Sequence, residues 1–199
     1  MVSIVSSLET LKYFNKFILA TCFFALTFSA QAIEIKGVKV DETAQVGGSA
    51  LVLNGAGLRQ KMVFKVYVAG LYLAQKTNDA NAVINDTGNK RVSMHFLREL
   101  DAETLLKGMN EGFTDNNSAA DMAAIEPQMK AFRTMMTSAK EVKKGDVIVL
   151  DLTSAGTQVN INGKTLGAVE GEAFNQALLK VWLGEKPVDA SLKKAMLGQ

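Results

Sequence analysis

The order of hydrophobic patterns along the chain predicts an α+β protein, an antiparallel sheet covered by a layer of helices. Three observations carry this. Strand-like runs come first, then two helical patterns, a strand meander and two more helical patterns. The regular strand and helix alternation of a doubly wound parallel sheet is missing. A length of 199 residues, 48% hydrophobic and 21% charged with only 2 Pro, belongs to a folded chain and makes one domain the default.

That domain is expected over residues 33–199, because the first 32 read as a secretory signal. Lys12 and Lys16 precede an uncharged run from Phe17 to Phe28, and Ala30-Gln31-Ala32 supplies the small residues a signal peptidase reads, with cleavage after Ala32. The run falls well short of the ~20 residues of a membrane-spanning helix, so no permanent span is expected after cleavage. A lipoprotein reading through Leu19-Ala20-Thr21-Cys22 fits poorly, since Thr stands at the small position before Cys22. Cleavage removes the single Cys, so an exported domain, expected in the periplasm, relies on its core; at this size roughly 68–70% of the unfolded surface can be buried without a disulfide.

Each element has its own signal. Ile33, Ile35, Val38 and Val40 alternate as one strand with an irregularity at Gly37, and Gly47-Gly48 marks the next turn. Leu51-Val52-Leu53 leads into Asn54-Gly55-Ala56-Gly57, a turn signal, after which Lys61 to Leu73 reads as a long strand with Gly70 as a bulge or close-approach point. Lys90 to Leu97 is another strand. Asp101 caps a helix with Leu105, Leu106, Met109 and Phe113 on its apolar face, and Asn116-Asn117-Ser118 caps a longer one that Pro127 bends or starts late. Val147 to Leu152 and Thr157 to Ile161 alternate as strands, and Asn162-Gly163 is a hairpin signal. Gly171 to Leu183 is a helix holding Trp182, and Asp189 caps a short terminal one.

Composition excludes much chemistry. One Cys and one His build no Cys/His zinc site, Cys-His nucleophile pair or internal disulfide, so no metal and no cofactor is assigned. A net charge of +2 is far below what phosphate-backbone binding needs, which argues against a nucleic-acid partner. His95 reads as a surface residue sharing a strand face with Ser93. Gly55-Ala56-Gly57 lacks the third glycine of a dinucleotide fingerprint and precedes a strand. The methionines of the second helix read as core, or as an adaptable wall for a flexible apolar ligand.

The informative stretch is Asn54 to Leu73, NGAGLRQKMVFKVYVAGLYL. Arg59 and Tyr67 are an even number of residues apart, so on one regular strand they point to the same face. That pairs a permanent planar cation with a phenol. Spacing alone favours the plainer reading, in which Arg59, Lys61 and Lys65 form a solvated cationic face.

The residues Gly55, Gly57, Arg59, Lys65, Val66, Tyr67, Gly70, Leu71 and Tyr72 resemble the pattern of the chalcone isomerase-like superfamily, in particular its bacterial exported members. The resemblance implies an open-faced β-sandwich: a large antiparallel sheet covered by a layer of helices, with a ligand cleft between them. In plant chalcone isomerases the matching arginine stabilises an oxyanion; in the fatty-acid-binding relatives it holds a carboxylate together with a tyrosine. Carried over, Arg59 is the anion anchor, Tyr67 adds a hydrogen bond, and Asn110 lines the cleft. The tyrosine that true isomerases place early in the first helix aligns with Glu103. A carboxylate there opposes the negative charge that develops during cyclisation, which favours binding over turnover.

The expectation is therefore non-catalytic binding of a small amphipathic carboxylate such as a fatty acid, with no catalytic residue assigned. Two alternatives stand: an intramolecular lyase or isomerase acting on an enone-type phenolic compound, with Arg59 as oxyanion stabiliser, and an envelope protein-interaction module whose cleft is filled by its own side chains. The sequence leaves the oligomeric state open.

Overall fold

A computed structural model describes residues 32–199 of the chain; the expected signal segment, apart from Ala32, lies outside the described residues. In chain order the strands and helices are β1 (Ala32–Ile35), β2 (Val38–Asp41), β3 (Thr43–Val46), β4 (Ser49–Lys61), β5 (Phe64–Leu73), α1 (Ala80–Asn85), β6 (Lys90–Phe96), β7 (Leu100–Asp101) and α2 (Ala102–Asn116). They continue with α3 (Ala119–Ala124), α4 (Glu126–Ser138), β8 (Glu141–Val142), β9 (Val147–Thr153), β10 (Gly156–Ile161), β11 (Lys164–Glu170), α5 (Glu172–Leu183) and α6 (Ala190–Met196). Seven strands form one antiparallel sheet in the order β11-β10-β9-β6-β5-β4-β3.

The sheet has an apolar layer on each face, and alternation along β5 shows how one strand feeds both. Ala69, Leu71 and Leu73 join the main core with Phe113 of α2, Phe132 of α4 and Trp182 of α5. Val68 and Tyr72 join a smaller cluster with Val46, Leu51, Leu53 and Val40 of the separate β1–β2 hairpin. This is the expected α+β architecture, with helices over one face and only a small hairpin on the other.

Local differences from the sequence reading have physical causes. The irregularity at Gly37 is a full reversal, because Lys36 and Gly37 both take positive φ, 53° and 80°, and split the first strand into a hairpin. Pro127 sits in the first turn of α4 and Ile125 separates that helix from α3, so the late start holds and the single long helix does not. Asp79 caps a short helix, α1, and β7 pairs with β8; all three elements are too short to give a periodic signal. His95 is half-buried rather than superficial, opposite Val68 on the face shared with the small hairpin, and burial pushes its pKa down.

The largest correction lies at Asn54–Gly57. No turn forms there: β4 runs through it, and the chain reverses at Met62 and Val63, which divides the expected Lys61 to Leu73 strand. The glycines serve close approach. A Cβ on Gly55 would lie 2.1 Å from the Ala195 carbonyl oxygen, and one on Gly57 would lie 2.5 Å from the Ala195 Cβ, so α6 rests directly on the strand backbone. Asn54 locks the crossing: its Nδ2 donates to the Met196 carbonyl at 2.7 Å and its Oδ1 accepts from the Thr77 N–H at 2.8 Å.

Candidate functional site

Pairing between β4 and β5 shifts at Leu53/Gly55, where Asn54 is the extra residue of a bulge. Side chains alternate along a strand, so one extra residue reverses which parity faces the helices. Before the bulge Leu51 and Leu53 face the small hairpin; after it Ala56 and Leu58 take that face. Gly55, Gly57 and Arg59 consequently face the helical layer. The same bulge that admits α6 therefore turns the Arg59 guanidinium inward.

Arg59 is directly opposite Tyr67 across the β4–β5 pair. The expectation that the two share a face holds, but for a different reason: they are cross-strand partners, not members of one strand. A second register shift follows between Arg59 and Gln60, and it leaves both Val66 and Tyr67 against the interior. The Arg59 Cζ lies 5.5 Å from the centroid of the Tyr67 ring, within cation–π range.

Between this end of the sheet and helices α2 and α5 is a cavity of about 330 Å³, near the lower limit of small-molecule sites. Val66, Met94, Leu105, Met109, Val181 and Val188 give it apolar walls. From α2 come Thr104, Leu105, Gly108 and Met109, two adjacent pairs one turn apart. Gly108 leaves room beside the guanidinium, since a Cβ there would stand 3.7 Å from Arg59 Nη2. Lys61, Met62, Phe64, Arg98 and Leu100 complete the lining, and no acidic residue contributes to it.

The electrostatics leave Arg59 unmatched. Its Nε is buried and has no hydrogen-bond partner, and none of the ion pairs among the described residues includes it. Arg91, two strands away on β6, shows the alternative: it grips Asp151 through Nε at 2.6 Å and Nη2 at 2.8 Å, which raises its pKa. Asp189 is the carboxylate whose charge reaches Tyr67, but its oxygens are engaged. Oδ2 accepts from the Gln60 N–H at 2.9 Å, and Oδ1 accepts from Ser191 and Leu192 at the start of α6. A buried donor without a partner is costly, so Arg59 is poised for an anion from outside the chain.

Tyr67 is 4% exposed, and burial raises its pKa against the opposing charge of Arg59, so the phenol is neutral. Its oxygen accepts a hydrogen bond from Trp182 Nε1 at 2.9 Å. The phenolic proton is left to donate. The site thus presents a guanidinium and a hydroxyl donor at the end of an apolar chamber, suited to hold a carboxylate or an oxyanion.

The other two α2 residues singled out in the sequence lie elsewhere. Asn110 is half-buried beside Leu106 and Arg133, and Glu103 is exposed on that same side of the helix; neither lines the cavity. Helix rotation explains this, because Thr104 and Gly108 take the inward positions. Glu103 therefore does not oppose charge developing in the chamber and does not count against turnover. Thr104, Gly108 and Trp182 are the residues the sequence reading missed as site components. The spacing of Thr104-Leu105 and Gly108-Met109 was a usable signal for the first two. A cleft filled by its own side chains, as the protein-interaction alternative requires, is contradicted by the open volume.

No curated protein matches the chain in sequence. Among solved structures, the Arabidopsis thaliana fatty-acid binding protein AtFAP1 superposes with a TM-score of 0.65 over 84% of this chain and 96% of that one, at 14% identity. That likeness is one of fold. The family profile described as chalcone isomerase-like matches residues 32–198, nearly the whole chain and all but one of the described residues. The chain belongs to the chalcone isomerase-like family.

Proposed function

We propose that the protein binds a small amphipathic carboxylate of the fatty-acid class without converting it, and that it does so in the periplasm after export. The observation that carries the reading is the unpartnered Nε of Arg59, held inward over Tyr67 at the end of an apolar cavity that contains no carboxylate. A ligand carboxylate would supply the missing acceptor, with the Tyr67 hydroxyl as a second donor. A charge-assisted contact of this kind is worth about 1.5–3 kcal/mol. Each methylene buried against Val66, Leu105, Met109 and Val181 adds about 0.8 kcal/mol, so the tail supplies most of the affinity and Arg59 the orientation. The fold shared with AtFAP1, a fatty-acid binding protein, supports this reading. The signal-like character of residues 1–32 supports the location.

Mass spectrometry of protein purified without detergent tests it. Wild type is expected to carry a co-purifying fatty acid that Arg59→Met has lost; a wild type that arrives empty and takes up no added fatty acid would contradict the proposal.

One observation favours a second reading, that of an intramolecular lyase or isomerase. With Glu103 turned outward, Arg59 and the Tyr67 hydroxyl form a donor pair able to stabilise an enolate oxygen. Mixing the protein with a chalcone and following its absorbance decides this: decay faster than in buffer, and slowed by Arg59→Met, supports turnover, whereas decay at the buffer rate removes it.

A further inference from the structure

The β4–β5 hairpin ends in three consecutive apolar residues that water does not release: Met62 is 84% exposed, Val63 79% and Phe64 54%. They are the exposed large hydrophobic side chains of the described residues. Soluble chains rarely leave such a run uncovered without a use for it. The turn geometry sharpens the point. Lys61 pairs with Phe64 across a two-residue loop in which Met62 has a φ of 55°, a conformation ordinarily left to glycine. A bulky apolar side chain thus occupies the tip although the backbone there favours none.

Three further features say what the tip fits. It projects, because β3 pairs with β4 only up to Val52 and β6 pairs with β5 only from Tyr67, so the residues between Gln60 and Lys65 have each other as their strand partners. It has a cationic collar: Lys61 and Lys65 flank it, and the Arg98 guanidinium stacks 4.7 Å over the Phe64 ring. It is also continuous with the chamber, since Lys61, Met62, Phe64 and Arg98 line the cavity that holds Arg59. An apolar wedge ringed by Lys and Arg matches the interface of an anionic bilayer, where side chains of this size enter the acyl boundary and cations meet head groups.

We propose that this hairpin tip docks on the surface of an anionic phospholipid membrane and sets the cavity mouth against the acyl layer, so that ligand passes between bilayer and chamber without crossing water. The idea of transfer rests on the proposed binding of a fatty acid; the docking surface stands on the tip alone. Val63 and Lys65 do not line the cavity, so they separate the two.

The test is flotation of the purified protein with vesicles of phosphatidylcholine alone or mixed in equal parts with phosphatidylglycerol, beside titration with a fluorescent fatty acid in the absence of vesicles. Wild type should float with the mixed vesicles and release this binding as salt rises. Val63→Asp should fail to float, and Lys65→Glu should bind at least about fivefold more weakly, the worth of one basic residue at such a surface. Both should keep the thermal midpoint and the fatty-acid affinity of wild type. A wild type that stays with the protein-only fraction in both vesicle mixtures overturns docking, even where it binds fatty acid, and leaves the tip to a protein partner. Flotation undiminished in Val63→Asp overturns it equally. If wild type floats but takes up no fatty acid, the docking surface stands and the binding reading is the one that fails.

Discussion

Strand β4 does opposite things only a few residues apart. At Asn54–Gly57 it lies sealed under α6, with both side-chain polar atoms of Asn54 satisfied and the glycine backbone in contact with Ala195. At Arg59 it faces a hollow of about 330 Å³ with a buried donor unsatisfied. The first region spends its polar groups on holding the fold together. The second leaves the Arg59 Nε without a partner beside an apolar hollow, and the proposed binding rests on that difference.

Substitutions at the two ends should therefore differ in sign. The largest effect is expected from Gly55→Ala, whose methyl would meet the Ala195 carbonyl, a backbone atom that cannot swing aside; a loss of about 3 kcal/mol in urea unfolding is expected. Next is Tyr67→Phe. It strips Trp182 Nε1 of its acceptor in a buried setting, so stability should fall by about 1–3 kcal/mol while ligand affinity also drops. Arg59→Met reverses the sign: relief of an unpaired buried donor, offset in part by a lost contact with the Tyr67 ring, should raise stability by about 1 kcal/mol while the preference for a carboxylate is lost. Gly108→Ala is milder. A helical alanine should add about 0.5–1 kcal/mol, and its methyl, 3.7 Å from Arg59 Nη2, should weaken ligand binding by narrowing the space beside the guanidinium.

The smallest effect is one of pH. Burial raises the Tyr67 pKa above its ordinary value of 10.0, so the folded protein keeps the proton that the unfolded chain releases first. The stability this contributes is fully present below pH 10.0 and is lost as pH climbs through the folded value. Compared with Tyr67→Phe, wild type should hold a constant advantage below that pH and lose it above.

The sequence made the architecture legible because its longer elements carry periodic signals and strong caps, such as Asp101, Ser118 and Asp189. It made Arg59 and Tyr67 legible through the Gly-x-Gly-x-Arg segment. What it hid was decided by contacts distant in sequence. Whether Asn-Gly-Ala-Gly turns the chain or admits a helix depends on α6, more than a hundred residues away. Which side of α2 faces the chamber depends on how that helix rolls against α5 and the sheet: Thr104, Leu105, Gly108 and Met109 line it, and Glu103 and Asn110 lie together on another side of the helix. The inward turn of Arg59 rests on a single bulge residue, Asn54, and parity counted from sequence cannot register an extra residue before the pairing is known.

The most direct measurement compares the affinity of the purified protein for a fatty acid and for the methyl ester of the same acid, in wild type and in Arg59→Met. If the guanidinium holds the carboxylate, wild type should prefer the acid by about ten- to a hundredfold, the equivalent of one charge-assisted contact, and Arg59→Met should bind both alike. Equal affinity of wild type for acid and ester, or a preference that survives in Arg59→Met, would contradict the account.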